Sequence, residues 1–195
     1  MRRRQGAGTM TERKPRATYE DLLGVPDIMV AEILDGELYA SPHPTLRHSL
    51  VFTALGARLV EAYDLGRDGP GGWWILHQPE MHFGEDVLVP DLAGWRRDRL
   101  PQIPDTPAIS LSPDWVCEVL TPPTERIDRV HKLPIYTREG VKHVWLINPQ
   151  ARTLEAYRRA QTGWSLLSTH GGEEPVRAEP FEAVAIDLSE LWGET

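Results

Sequence analysis

Three residues of this 195-residue chain could share one piece of chemistry: Asp91, Glu118 and Lys132. Glu118 stands inside Trp115-Val-Cys-Glu-Val-Leu120, an apolar run in which an unpaired ionised carboxylate loses several kcal/mol or is forced to protonate. It therefore needs a cation. Asp91 follows Val87-Leu-Val-Pro90 and shares a strand face with Val87 and Val89. Two carboxylates brought about 4 Å apart repel by about 4 kcal/mol at an effective dielectric of roughly 20. A divalent ion removes that cost. Mg²⁺ suits the task best, because it takes oxygen ligands, keeps several waters and typically binds through one or two carboxylates plus substrate phosphate. A metal-bound water is a nucleophile, and the ion steadies negative charge on the phosphate under attack. Lys132 admits two readings. Four residues after Asp128, it could form an exposed intrahelical ion pair worth a few tenths of a kcal/mol. Alternatively its ammonium lies over the sheet against the attacking water or the phosphate, with desolvation moving its pKa into a working range.

These residues need a frame to hold them. Trp115 to Pro149 reads as a strand, a crossover helix and a second parallel strand, since both flanks are short apolar runs of the kind covered on two faces. Pro134 should break the crossover helix just past Lys132. Asp35-Gly36 between two extended runs predicts a hairpin with a type I′ turn, flanked by Glu32 and Glu37. His48, Phe52, Leu55, Leu59 and Ala62 fall on one stripe of a helix ending near Tyr63, which makes His48 a half-buried imidazole first and a ligand second. Trp73 to Phe83 and Val87 to Trp95 read as two strands joined by Gly84-Glu85-Asp86, with Pro90 ending regular pairing just before Asp91. Pro101 to Pro113 reads as a surface flap. Thr153 to Arg158 and Trp164 to Ser168 form a second hairpin, Asp187 or Ser189 caps a last helical turn, and Thr18 with Asp21 opens a short first helix.

Residues 1–16 read as a disordered lead and 17–195 as one domain, long enough to bury a core without staples. The single cysteine, Cys117, excludes an intrachain disulfide and fits a reducing, cytoplasmic setting. No apolar run approaches the roughly 20 residues of a membrane span. The net charge of −8 argues against tight nonspecific binding to nucleic acid, although residues 171–195 carry most of it. Arg96 to Arg99 and Glu125 to Lys142 are each net positive, so a locally basic surface near Glu118 is available.

Taken together, Val89-Pro-Asp-Leu92, Cys117-Glu-Val-Leu-Thr-Pro122, Asp128, Lys132, Tyr136, Gly140-Val141 and Val144-Trp-Leu-Ile-Asn-Pro149 resemble the Uma2 family of restriction-type endonucleases, as does the Glu32 to Leu38 hairpin. The resemblance runs from Tyr19 to Trp192. It implies the PD-(D/E)XK nuclease fold of the α/β (α+β) class: a restriction-endonuclease-like mixed central sheet flanked by helices, here with N- and C-terminal β-hairpins. It further implies a Mg²⁺-dependent endonuclease acting on DNA, with Mn²⁺ able to substitute. Asp91 and Glu118 would be the metal carboxylates, the Val119 carbonyl a third ligand, Glu32 the upstream catalytic acid and His48 an auxiliary residue. The general nuclease pattern wants a lysine two residues after Glu118, where this chain has Leu120. Lys132 would replace it from the helix. Cutting both strands would be simplest for a homodimer with two-fold symmetry. Two other readings compete: an inactive nuclease fold kept as a nucleic-acid-binding or interaction module, and a cupin-type barrel holding a metal through His77, Glu80 and His82.

Overall fold

The computed structural model describes residues 15–173 and 175–193, so the expectation for residues 1–14 lies outside the described residues. Near the start, Arg16 pairs with Glu85 at 2.6 Å. Thr18 and Asp21 form a capping box on α1 (Tyr19–Leu23), each satisfying a backbone amide of the other's turn. The strands β1 (Met29–Leu34) and β2 (Glu37–Pro42) pair antiparallel around Asp35-Gly36. Both turn residues have positive φ, 52° and 84°, which is what a type I′ turn demands.

The helix α2 (Leu46–Leu59) is capped by the Thr45 hydroxyl and continues as a wider π-type turn through Val60–Asp64. The next two expected strands each divide into two. They become β3 (Trp73–His77) and β4 (Glu80–Phe83), then β5 (Asp86–Leu88) and β6 (Leu92–Arg96). Outer halves β4 and β5 pair in one sheet, while β3 and β6 pair in another. The hairpin therefore folds over at Gln78-Pro79 and Val89-Pro90, because neither proline can donate to a ladder. Pro101 to Pro113 is not simply a flap: it contains β7 (Ala108–Ile109), which runs parallel to β4.

The strand β8 (Trp115–Val119) is followed by one helical run made of α3 (Glu125–Ile127), a π-type turn over Asp128–Lys132 and α4 (Leu133–Glu139). It returns to β9 (His143–Asn148), parallel to β8. Pro134 does not break this run. The wide turn is closed by a bond from the Leu133 amide to the Asp128 carbonyl, and Pro134 falls in the first turn of α4, where a missing N–H costs least. The chain ends with β10 (Thr153–Arg159), β11 (Trp164–Gly171), the small pair β12 (Pro175–Val176) and β13 (Ile186–Asp187), and α5 (Leu188–Trp192) capped by Asp187.

Two mixed sheets result, ordered β2-β1-β5-β4-β7 and β11-β10-β9-β8-β6-β3. Alternation along β8 and β9 separates two cores. Trp115, Cys117, Val119, Trp145 and Ile147 pack with α2 and α5, whereas Val116, Val144 and Leu146 pack with Ile135 and Tyr136 of the crossover helix. Glu118 belongs to the second face, so it points toward that helix. This is the mixed-sheet α+β fold flanked by helices. Among the described residues no helix is long and apolar enough to cross a membrane.

Candidate active site

The fold-over of the β3–β6 hairpin builds the site. Where the chain leaves β5 and has not yet joined β6, the Val89 amide has no strand partner, and the Glu32 carboxylate from β1 accepts it at 2.8 Å. Two residues later Asp91 sits at the junction of the sheets. Its Oδ2 accepts the Val119 amide at 2.8 Å, just past Glu118, and lies 3.1 Å from Nε2 of His48 on α2. Asp91 is thus tied to the end of β8, and His48 is buried against it.

From the opposite side the crossover helix presents Asp128, Lys132 and Tyr136, spaced i, i+4 and i+8 so that all three share a face. Lys132 Nζ lies 3.0 Å from Glu32 Oε1, 3.3 Å from Glu118 Oε2 and 3.3 Å from Asp128 Oδ1. The Tyr136 hydroxyl donates to Glu118 Oε1 at 2.5 Å. The pair with Asp128 is therefore real but not exposed. Lys132, Glu118, Asp128 and Glu32 are all buried, with 5, 2, 4 and 6 % of their surface accessible.

Three carboxylates consequently surround one ammonium. Burial raises the Glu118 carboxyl well above its usual range, and the charges of Asp128, Asp91 and Glu32 push the same way, against Lys132. Burial also raises Glu32 and Asp128. For Lys132, burial pulls the pKa down, but Glu118, Glu32 and Asp128 outweigh it and hold it well above the ordinary lysine value. A lysine pKa lowered into a working range is thus replaced by its opposite: Lys132 is a fixed cation.

A cavity of about 60 Å³ opens between these groups, lined by Glu32, His48, Asp91, Glu118, Asp128 and Lys132 among others. Its wall mixes charged and polar groups with apolar ones, and it has room for a few waters. The donor set fits a hard divalent ion: oxygen ligands, an excess of negative charge and space for retained water. Among the described residues no group of three or more His, Cys, Asp or Glu side chains is arranged to hold one ion.

The structure brings together all six residues singled out from the sequence: Glu32, His48, Asp91, Glu118, Val119 and Lys132. It adds Asp128, which spacing alone made an exposed partner of Lys132, and Tyr136; both figured in the family resemblance without a role in the site. Their spacing with Lys132 was the available signal. His77, Glu80 and His82 do not converge, since His82 pairs with Glu80 at 2.7 Å while His77 packs on Phe52 of α2. The parallel β8–β9 pair and its helical crossover also exclude a cupin barrel.

A family model described as "Putative restriction endonuclease" and named Uma2 matches residues 16–189. Among solved structures, the chain is similar to a crystal structure described as that of "a putative nuclease belonging to DUF820 from Anabaena variabilis". The two share 19 % identity with a TM-score of 0.72, over 91 % of this chain and 98 % of the other. That likeness carries the fold. No curated protein matches the chain.

Proposed function

The chain belongs to the Uma2 family, and on that footing we propose that it is a Mg²⁺-dependent endonuclease hydrolysing phosphodiester bonds of DNA. The observation that carries the reading is the meeting of Asp91, Glu118 and Lys132 around one cavity at a junction of two sheets. Asp91 and Glu118 would hold the ion, with the Val119 carbonyl as a third ligand; Mn²⁺ offers the same coordination. When bound, the ion supplies an activated water and neutralises charge developing on the phosphate.

The protein's own groups supply position and polarity. Lys132 stays an ammonium, so it cannot take a proton from water; its three N–H groups face Glu32, Glu118 and Asp128, so it would favour hydroxide character in the attacking water through its positive charge. Glu32 and Asp128 fix the ammonium at 3.0 and 3.3 Å. His48 and the Val119 amide hold Asp91 in one orientation, a preorganisation that spares the site from rearranging during reaction.

Conversion of supercoiled plasmid to nicked or linear DNA with Mg²⁺, and its loss on chelation, tests the proposal. A second reading has an observation in its favour: both oxygens of Glu118 are already engaged, by Tyr136 and Lys132. A nuclease fold that neutralises its own carboxylate in this way would be a nucleic-acid-binding or interaction module without cleavage. Calorimetric titration separates the two, since only the nuclease binds Mg²⁺ at Asp91 and Glu118. Sedimentation with and without DNA tests the homodimer that symmetric cutting of both strands would use.

A further inference from the structure

Beside the carboxylate cleft lies a second, larger cavity of about 460 Å³, within the size range of ordinary small-molecule sites. Its walls are largely apolar. Pro42 ends β2 and Pro44 lies between β2 and α2, Pro122 and Pro123 come from the turn after β8, and Pro149 directly follows β9. Their fixed φ makes these walls stiff, so the shape is formed in advance. Pro42, Pro44, His48, Thr121 and Thr124 line both cavities, so the two adjoin. Arg47, in the first turn of α2, and Gln150 stand exposed at the rim. Among the described residues Arg47 takes part in no ion pair.

Building on the reading of the cleft as a phosphodiester site, we propose that this cavity receives the base of an unpaired nucleotide adjoining the phosphate to be cut. A nucleobase is a flat body with apolar faces and polar edges, and the cavity offers apolar walls with threonine hydroxyls and Gln150 at their margins. Inside a duplex a base has both faces stacked and its edge paired, so it enters such a pocket only when unstacked. Arg47 has the free charge needed for the neighbouring phosphate, in a chain whose net charge of −8 otherwise repels nucleic acid. The substrate class that follows is DNA unpaired at the cleavage position, either as a single strand or with one base extruded from a duplex.

The test uses the full-length protein with Ca²⁺ in place of Mg²⁺, so that nothing is cut, and fluorescence anisotropy of labelled oligonucleotides. A single strand should bind about tenfold more tightly than the perfect duplex of the same sequence, if the base no longer has to be unstacked. An abasic nucleotide walked along the strand should lower affinity about tenfold at one position and little elsewhere. If instead the perfect duplex binds as tightly as the single strand and shows the same one-position loss, the base is extruded from duplex and the pocket stands. Arg47→Ala should weaken binding and reduce its salt dependence by about one ion. Abasic substitution without effect at any position would overturn the pocket. Cleavage with Mg²⁺ that ignores abasic sites overturns the pocket and leaves the nuclease standing; position-sensitive binding with no cleavage keeps the pocket and removes the nuclease.

Discussion

The phenol of Tyr136 donates a 2.5 Å hydrogen bond to Oε1 of Glu118, the oxygen that Lys132 does not occupy. Both side chains are buried, so this bond neutralises part of a carboxylate that has little contact with bulk water. Burial and the Glu118 charge together raise the Tyr136 phenol well above its usual pKa, so it remains a donor throughout the working range. Tyr136→Phe should lower stability by about 2 kcal/mol, the scale of a hydrogen bond to a charged group. Saturating Mg²⁺ should recover part of that loss by taking over the freed oxygen. Denaturant midpoints with and without Mg²⁺ measure both effects, and an equal loss in the two conditions would show that no ion reaches Glu118.

The two carboxylates differ in what else depends on them. Asp91 holds the Val119 amide at 2.8 Å, a bond that an asparagine oxygen can keep, so Asp91→Asn should stay folded while losing at least about tenfold in Mg²⁺ affinity. Glu118→Gln removes a buried charge from beside three others and leaves Lys132 paired with Glu32 and Asp128. Its stability should fall by less than about 1 kcal/mol, or rise, with the same loss of affinity. Calorimetric titration of each variant provides the check. Undiminished affinity in both would remove the metal assignment.

Much of this arrangement is legible along the chain because its causes are local. Asp35-Gly36 supplies positive φ, Pro90 ends a ladder, and the apolar runs around Cys117 and Trp145 can only be covered strands. Other features rest on contacts between distant segments. Pro79 and Pro90 mark where regular pairing stops, but not that each extended run will divide between two sheets, because that depends on which strand, β6 or β1, lies alongside. Likewise the spacing of Asp128 and Lys132 is the same for an exposed pair and a buried one. Only the docking of the crossover helix on Glu118 and Glu32 decides between them.

A pH-dependent contribution lies away from the cleft, at Asp114. Burial alone would raise its carboxyl, but the Arg96 amide, Lys142 and Arg99 outweigh burial and hold it below the usual carboxylate range. The contacts are 3.0, 2.8 and 2.9 Å. A carboxyl whose folded pKa is depressed stabilises the fold above its unfolded pKa and loses that contribution as pH falls through the folded value. Asp114→Asn should therefore cost about 1–2 kcal/mol at neutral pH, a figure tempered by the exposure of Lys142 and Arg99. The difference from the parent should hold steady down to about pH 5 and shrink below about pH 4. Urea titrations across that range measure it; a gap that widens in acid would mean that Asp114 is held by something other than its cations.

Lys132 is where the chain departs most from the general nuclease pattern, and its burial sharpens the test. Its ammonium balances Glu32, Glu118 and Asp128, so Lys132→Met removes a cation from the middle of three buried acids. The unfolded state should gain about 3–5 kcal/mol on the folded one at neutral pH, and part of this should return in mild acid, where carboxylates with raised pKa values protonate. If the ammonium also serves the attacking water, cleavage by the folded fraction should drop by a factor of roughly 10² or more. Leu120 offers a way to divide the two roles. It lies two residues beyond Glu118 on the same face of the sheet, nearly buried among Ile135, Tyr136 and Val116. In the double variant Leu120→Lys with Lys132→Met, one ammonium again stands beside Glu118, now delivered from the strand. Part of the lost rate should return, while Asp128, one turn before position 132 on the same face of the helix, stays without its cation and stability remains below that of the parent. Single-turnover cleavage with a parallel urea melt reads both quantities. If Lys132→Met cleaves as fast as the parent, the lysine belongs to the carboxylates alone and the water is activated without it.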